Sequence, residues 1–504
     1  VALSVSTFSQ LSPWFRRIPY TLLLVIVGLA LAFAEVRLVE LSPELILLVF
    51  LPPLLFQAAW DLEWENLKRD WLPVTLFAVI GVAISVAGTA VALVQFAGTS
   101  LAVALLLGAS LSATDPVSVV ALFRELGASK RLSTIVEGES LFNDGVAVVA
   151  FGLLVGFSQG DAQALTFQKI VIGFITVGGI GAGVGLAVGF AISFLTQRFD
   201  LPLVEQSLTL VASYGAYVLA DDLGGSGVIA VVVAGLVLGN FGSRIGMRPR
   251  TREIVSEFWE FVAFFVNSIV FLLIGDQIRF PGLMRTLPII AITVVALLLT
   301  RFVTVFGLTA ITNALKHERI NFGKQTVIWW GGLRGSASIA LALSVPKTVP
   351  ERTEIIAIVF GVVLFTLLVQ GLTIQPLLEK LKLSGGEQGL DQRYLEIAAR
   401  RVALRRVLER LESRAGCAGD DPELNQKVTV RVQEELAGLQ SELDLLRTKY
   451  PELELVVADQ MQDELTVVEA QAYNEYLNLG LLKDRPSPVV PIVFGDAIGR
   501  QPQP

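Results

Sequence analysis

Asp144 stands within a largely apolar span, with Ser140 four residues before it. Residues four apart share a helix face, so a single turn presents a carboxylate and a hydroxyl together. These are hard oxygen ligands of the kind a small alkali cation prefers. Burial disfavours a charged carboxylate and a neighbouring cation favours it, so proton and metal compete for one group. Such competition is the least machinery an exchange of cation for proton requires. The plainer alternative is a carboxylate buried against a structural partner.

The segment upstream favours the first reading. Residues 110–144 run SLSATDPVSVVALFRELGASKRLSTIVEGESLFND, in which Asp115 and Pro116 interrupt an apolar helix. Proline lacks a backbone donor and clashes with the carbonyl four residues earlier. Unwinding is therefore expected at residues 113–115, where Thr114 offers a hydroxyl or a carbonyl; a simple proline kink is the other possibility. Within a bilayer, unwound backbone survives only where it lines a cavity or is covered by protein, and broken half-helices present partial charges to ions.

Glu139 is five residues from Asp144, roughly 140° around a helix, and lies under Asn143. The two acids should serve different partners. For Glu139 the expected counter-charge is Arg334, in the glycine-rich GGLRGSAS at residues 331–338. That pair would join two broken segments from opposite halves of the chain without carrying an ion. Arg301, in LLTRFVTVF, is expected to pair structurally or to snorkel. His317 reads as an exposed loop residue, although its titration near neutral pH would suit a tuning role. Cys417, the single cysteine, reads as an incidental thiol.

These residues must be held by membrane helices. The chain has 504 residues, 53% hydrophobic and 17% charged, against roughly 25% charged in a soluble protein. Its apolar runs reach the roughly 20 residues that cross a bilayer. About twelve spans are expected between residues 18 and 379, among them 99–123, 134–157, 286–312 and 323–345. Arg16, Arg17, Lys68, Arg69, Lys130, Arg131, Lys316 and Arg319 crowd one set of alternate loops, while the other set holds fewer, among them Arg37, Lys169, Arg279 and Lys347. The excess marks the cytoplasmic side and places both ends there. Val1 opens the chain without methionine, and a preceding helix would make thirteen spans.

Two domains follow: a transmembrane domain over residues 1–383 and, after Ser384-Gly385-Gly386, a soluble tail over 384–504 that carries essentially all of the net charge of -7. In the tail, YLEIAARRVALRRVLERL at residues 394–411 reads as an amphipathic helix. Further helices are expected near 427–448 and 463–482, and disorder in the proline-rich end. A cytoplasmic regulatory or partner-binding role is expected for the tail, with its partner unknown; a passive solvated extension is the alternative.

The chain contains no GxxxxGK[ST] phosphate loop and no TVGYG filter, and one His with one Cys cannot build an ordinary zinc site. No enzyme activity, cofactor or nucleic-acid partner is expected.

On SATDPVSVVALFRELGASKRLSTIVEGESLFND and GGLRGSASIALAL, the chain resembles the sodium/proton exchangers of the monovalent cation:proton antiporter family, especially the bacterial and plant type that confers salt tolerance. The resemblance covers about residues 15–380. It implies an all-α polytopic protein of thirteen spans, an inverted-repeat core with two crossed broken helices, and a homodimer in the plasma membrane. It assigns the ion- and proton-binding carboxylate to Asp144 with Asn143 beside it, and ligand positions to Ser140 and Thr114. Asp115 becomes the acid that balances the broken-helix dipoles, and Glu139 with Arg334 the core ion pair. Asn143 before Asp144 is similar to the electroneutral branch, one cation for one proton. One departure is LPPLLFQ, where Gln57 replaces a common acid; an amide can hold a water but cannot titrate.

Sodium or lithium for proton is the exchange expected, with potassium as an alternative cation. Calcium is disfavoured because it takes six to eight oxygens and several carboxylates. A gated channel and a transporter-like sensor are the readings from other classes. Single-channel current steps would decide for the channel, and transport without residues 384–504 would decide against the sensor.

Overall fold

The computed structural model describes residues 20–34, 41–159, 166–196, 201–243, 249–278, 280–315, 319–381, 388–414 and 422–449, with isolated positions elsewhere. His317, Cys417, the first 19 residues and most of the expected third tail helix lie outside the described residues. The described residues are helical, with no strand among them.

In chain order the membrane helices are α1 (Tyr20–Phe33), α2 (Leu45–Asp61), α3 (Trp71–Ala97), α4 (Leu101–Ser110), α5 (Val117–Leu126) and α6 (Lys130–Ser158). Then follow α7 (Gln168–Thr196), α8 (Pro202–Asp222), α9 (Gly227–Gly242), α10 (Arg250–Asp276) and α11 (Gly282–Leu315). The last are α12 (Phe322–Trp330), α13 (Ser336–Leu343) and α14 (Arg352–Lys380). Six of these, α3, α6, α7, α10, α11 and α14, are long and apolar enough to cross a membrane.

Where one span is expected at 99–123, the chain forms two half-helices, α4 and α5, separated by residues 111–116. The break falls where Pro116 denies the helix a donor. The span expected at 323–345 is likewise divided into α12 and α13 by residues 331–335, a stretch that includes Gly331, Gly332 and Gly335. Local caps start the halves. The Ser100 side chain accepts from the Val103 amide before α4, and Asn321 accepts from Lys324 before α12, each satisfying an orphaned first-turn donor.

The helices sort into two groups by what they pack against: α1, α2 and α7 to α10 in one, and α3 to α6 with α11 to α14 in the other. In the first group, Gly181, Gly185 and Gly189 line one face of α7 and let it lie directly on α9, the small-residue packing typical of membrane helices. In the second, the start of α6 is fixed to the segment before α3 by Arg131, whose Nε and Nη2 donate to Asp70 at 2.8 to 3.1 Å. Across the seam, α6 touches α7 and α9.

The residues from Gly385 onward form a separate compact unit. Its helices α15 (Gln388–Arg414) and α16 (Pro422–Lys449) pack as a hairpin around Tyr394, Ile397 and Leu443. Arg401 Nη1 donates to Gln440 Oε1 at 2.8 Å beside that small core.

Candidate functional site

The two breaks meet. The Asp115 amide donates to the Leu333 carbonyl at 2.8 Å, so the unwound segments are joined main chain to main chain. Arg334, 3% exposed, donates through Nη1 to the carbonyls of Ser112 (2.8 Å) and Ala113 (3.1 Å). Ser338 Oγ adds a bond to the Ala113 carbonyl at 3.2 Å. Those carbonyls lie just beyond the C-terminal end of α4, which carries partial negative charge, and a buried cation there is favourably placed. Asp115 Oδ1 accepts from the Val117 amide at 2.9 Å and so caps the start of α5, where an acid complements the positive helix end. A Cβ on Gly335 would run into the Asp115 side chain, which explains why the crossing has no side chain there.

The expected ion pair between Glu139 and Arg334 is not formed. Glu139 pairs instead with Arg301 of α11, Nη1 to Oε1 at 2.8 Å and Nη2 to Oε2 at 3.2 Å. The same guanidinium donates to the carbonyls of Ile328 (2.9 Å from Nη2) and Trp329 (3.1 Å from Nε). The physical reason is symmetry of need. Each broken helix ends in orphaned carbonyls, and each receives one arginine: Arg334 near the end of α4, Arg301 at the end of α12. Glu139 offsets the charge of the second arginine. The Arg334 amide donates to Thr366 Oγ1 at 3.1 Å, and Gln370 Nε2 donates to the Trp330 carbonyl at 3.1 Å. Both come from a π-helical turn, Thr366–Gln370, within α14.

On the other side of the first break stands α6. Ser140 Oγ donates to the Thr114 carbonyl in a short bond. Asn143 Nδ2 donates to Thr114 Oγ1 at 2.7 Å, and the Thr114 amide returns a bond to Asn143 Oδ1 at 3.3 Å. Asp144 lies one turn beyond Ser140 and is 7% exposed; its Oδ1 is buried with no hydrogen-bond partner. Among the described residues, no Lys or Arg nitrogen comes within 4.0 Å of that carboxylate. The next residue, Gly145, packs against Ile229 and Val228 of α9, so this turn of α6 faces the seam between the two helix groups. A cavity of about 20 Å³ lies on the opposite flank of Asn143, lined by Ser85, Glu139, Thr304 and Arg334 among others, with room for about one water.

Thus Thr114, Asp115, Ser140, Asn143, Asp144 and Arg334 are brought together, while Glu139 sits on the far flank of α6 with Arg301. Gln57 is apart from these contacts: its Nε2 donates to Asp61 Oδ2 at 2.5 Å, one turn along α2. Sequence reasoning missed Thr366, Gln370 and Ser338. A signal existed for the first two, which are polar, four apart in an apolar span, and therefore on one face.

The profile of the family described as "Sodium/hydrogen exchanger, transmembrane" matches residues 1–380. The chain is 55% identical to the Na⁺/H⁺ antiporter ApNhaP of Aphanothece halophytica over 498 residues, 97% of this chain and 94% of that one. It is 54% identical to the low-affinity Na⁺/H⁺ antiporter NhaS1 of Synechocystis over 502 residues, 99% and 95% of the respective chains. Its fold is similar to that of the sodium proton antiporter MjNhaP1 of Methanocaldococcus jannaschii at pH 8, with a TM-score of 0.61 at 21% identity, covering 75% of this chain and 96% of that one.

Proposed function

Because this chain belongs to the sodium/hydrogen exchanger family, we infer that it is a multi-pass secondary antiporter exchanging Na⁺ for H⁺, with Asp144 the carboxylate that both ions share. The observation that carries this is the buried, unpartnered Asp144 Oδ1 beside the unwound backbone at Thr114. A carboxylate so placed, with no cation in direct contact, is neutralised by a mobile one, and Na⁺ and H⁺ are the two available. Ser140 Oγ and the free lone pair of the Thr114 carbonyl supply further hard oxygens, with Asn143 holding Thr114 in place. Among the described residues no cluster of three acidic, His or Cys groups is present, which favours a monovalent cation over calcium.

The mechanism follows from position. The second helix group carries both breaks and α6 as one hydrogen-bonded body, and the turn of α6 that holds Asp144 lies at the seam, where Gly145 meets α9 of the first group. Movement of one group against the other exposes the carboxylate to either side in turn. Since the group is neutralised by either one Na⁺ or one H⁺, the exchange is one for one and electroneutral. Lithium shares the site, and K⁺ is the alternative substrate. Asp115, Glu139, Arg301 and Arg334 hold the breaks and carry no ion. Gln57, bonded to Asp61, lies outside this machinery. We further infer a homodimer in the plasma membrane with the tail in the cytoplasm, consistent with the exposed apolar face of α7 (Ile172, Ile175, Phe190, Phe194).

Asp144→Asn in proteoliposomes tests the reading. The variant should fold and show no Na⁺-driven change in internal pH; exchange that survives it overturns the assignment.

A further inference from the structure

The tail helix α15 presents two unlike faces. One is used up: Tyr394 and Ile397 are 3% and 6% exposed against Leu443 of α16, and Arg401 bonds Gln440. On the opposite side, Ala399, Ala403, Arg406 and Arg410 recur at spacings of four, three and four, flanked by Arg400 and Val407, and all are exposed. Residues at these spacings form one stripe. Between Arg393 and Arg410 there are six arginines and two glutamates, whereas residues 415–504 hold 16 acidic and seven basic residues. The positive charge is thus concentrated on one stretch of a tail that is otherwise strongly acidic. Arg400 is paired with Glu396 at 2.7 Å, but the two side chains are 67% and 59% exposed, and such surface pairs are exchanged readily for another anion.

Chain length says what this stripe meets. Only residues 381–387 separate the end of α14 from the start of α15, a tether of at most about 25 Å even when fully extended. The start of the helix is therefore tethered to the end of α14, within reach of the bilayer surface that α14 leaves. A row of arginines with small apolar residues between them suits that surface. Guanidinium forks bind phosphate oxygens bidentately, and alanine and valine between the arginines let the backbone settle at headgroup level. We propose that the Arg400, Arg406 and Arg410 face of α15 docks on the anionic phospholipid headgroups of the adjoining leaflet, so that lipid charge decides whether the tail hairpin lies on the membrane or hangs free. Basic segments immediately beyond a membrane span are drawn to anionic lipid in this way. The inference depends on the short tether and on the face of α15, not on the ion chemistry at Asp144.

The test uses the full chain with Cys417→Ser and one spin label at Ala403→Cys, in nanodiscs of phosphatidylcholine with or without phosphatidylglycerol. Both bilayer surfaces are open in a disc, so the outcome is independent of transport and of orientation. With phosphatidylglycerol at low salt, collision of the label with an aqueous nickel chelate should fall several-fold. It should recover at molar salt, where screening is nearly complete, and in the Arg406→Glu/Arg410→Glu variant, in which docking drops by roughly tenfold or more. A label at Val430→Cys, exposed on α16, reports whether the hairpin itself has changed and should respond to neither. Equal exposure in the two lipids, or protection that survives charge reversal, overturns the proposal. So do two other results. Label-to-label broadening independent of lipid would assign the stripe to a second copy of the chain, and protection lost on removing residues 450–504 would assign it to the acid-rich remainder of the tail.

Discussion

At the scale of single residues, the two arginines of the site do related work at different places, and their energetics can be separated. Arg301 and Glu139 are 10% and 4% exposed in their side chains. Removing one member of a buried pair strands the other and costs about 3–5 kcal/mol, whereas replacing both with apolar groups is often close to neutral. Arg301→Met should therefore lower the unfolding temperature in detergent sharply, and the double variant with Glu139→Leu should recover much of the loss. Costs that simply add would show that the pair is not coupled. Ser140→Ala addresses the proposed ligand set. Loss of one hydroxyl ligand is worth about 1–2 kcal/mol, so half-saturation by Na⁺ in a proteoliposome assay should rise about tenfold with little change in maximal rate. An unchanged Na⁺ requirement would remove Ser140 from the set.

At the scale of elements, the crossing of the two breaks depends on the absence of a side chain at Gly335. A Cβ there would meet Asp115 Cγ at 2.8 Å, and forced overpacking of this kind costs about 1–3 kcal/mol. Gly335→Ala should accordingly cut the exchange rate about tenfold while the protein still inserts and purifies; full activity would mean that the breaks have more room than the contact implies. Both interruptions were legible in the sequence, because proline after Asp115 and glycines around Arg334 each deny the backbone a regular helix. The face of α6 was legible too, since the spacing of Ser140 and Asp144 sets their common side. The partner of Glu139 was not. Periodicity gives the order of residues around one helix but not the rotation of α11 against α6, and that rotation points Arg301 at Glu139 and frees Arg334 for carbonyls. Nor does composition mark the π-helical turn that offers Thr366 and Gln370 to the second break, since a shift in backbone pairing leaves no residue signature.

At the scale of the whole molecule, the proposed ion site lies within the membrane helices while the tail packs on its own small core. Truncation after residue 383 should leave Na⁺/H⁺ exchange in proteoliposomes with altered dependence on lipid charge or pH; complete loss of exchange by a well-folded truncated protein would place the tail in the transport cycle itself. The bond from the Asp115 amide to the Leu333 carbonyl bears on how such a protein can change over time. Both of its atoms are common to nearly all amino acids, so apart from proline at position 115 no point mutation deletes it directly. Substitution at Thr114 or Ser140, the ligand positions proposed above, would therefore leave that main-chain junction standing.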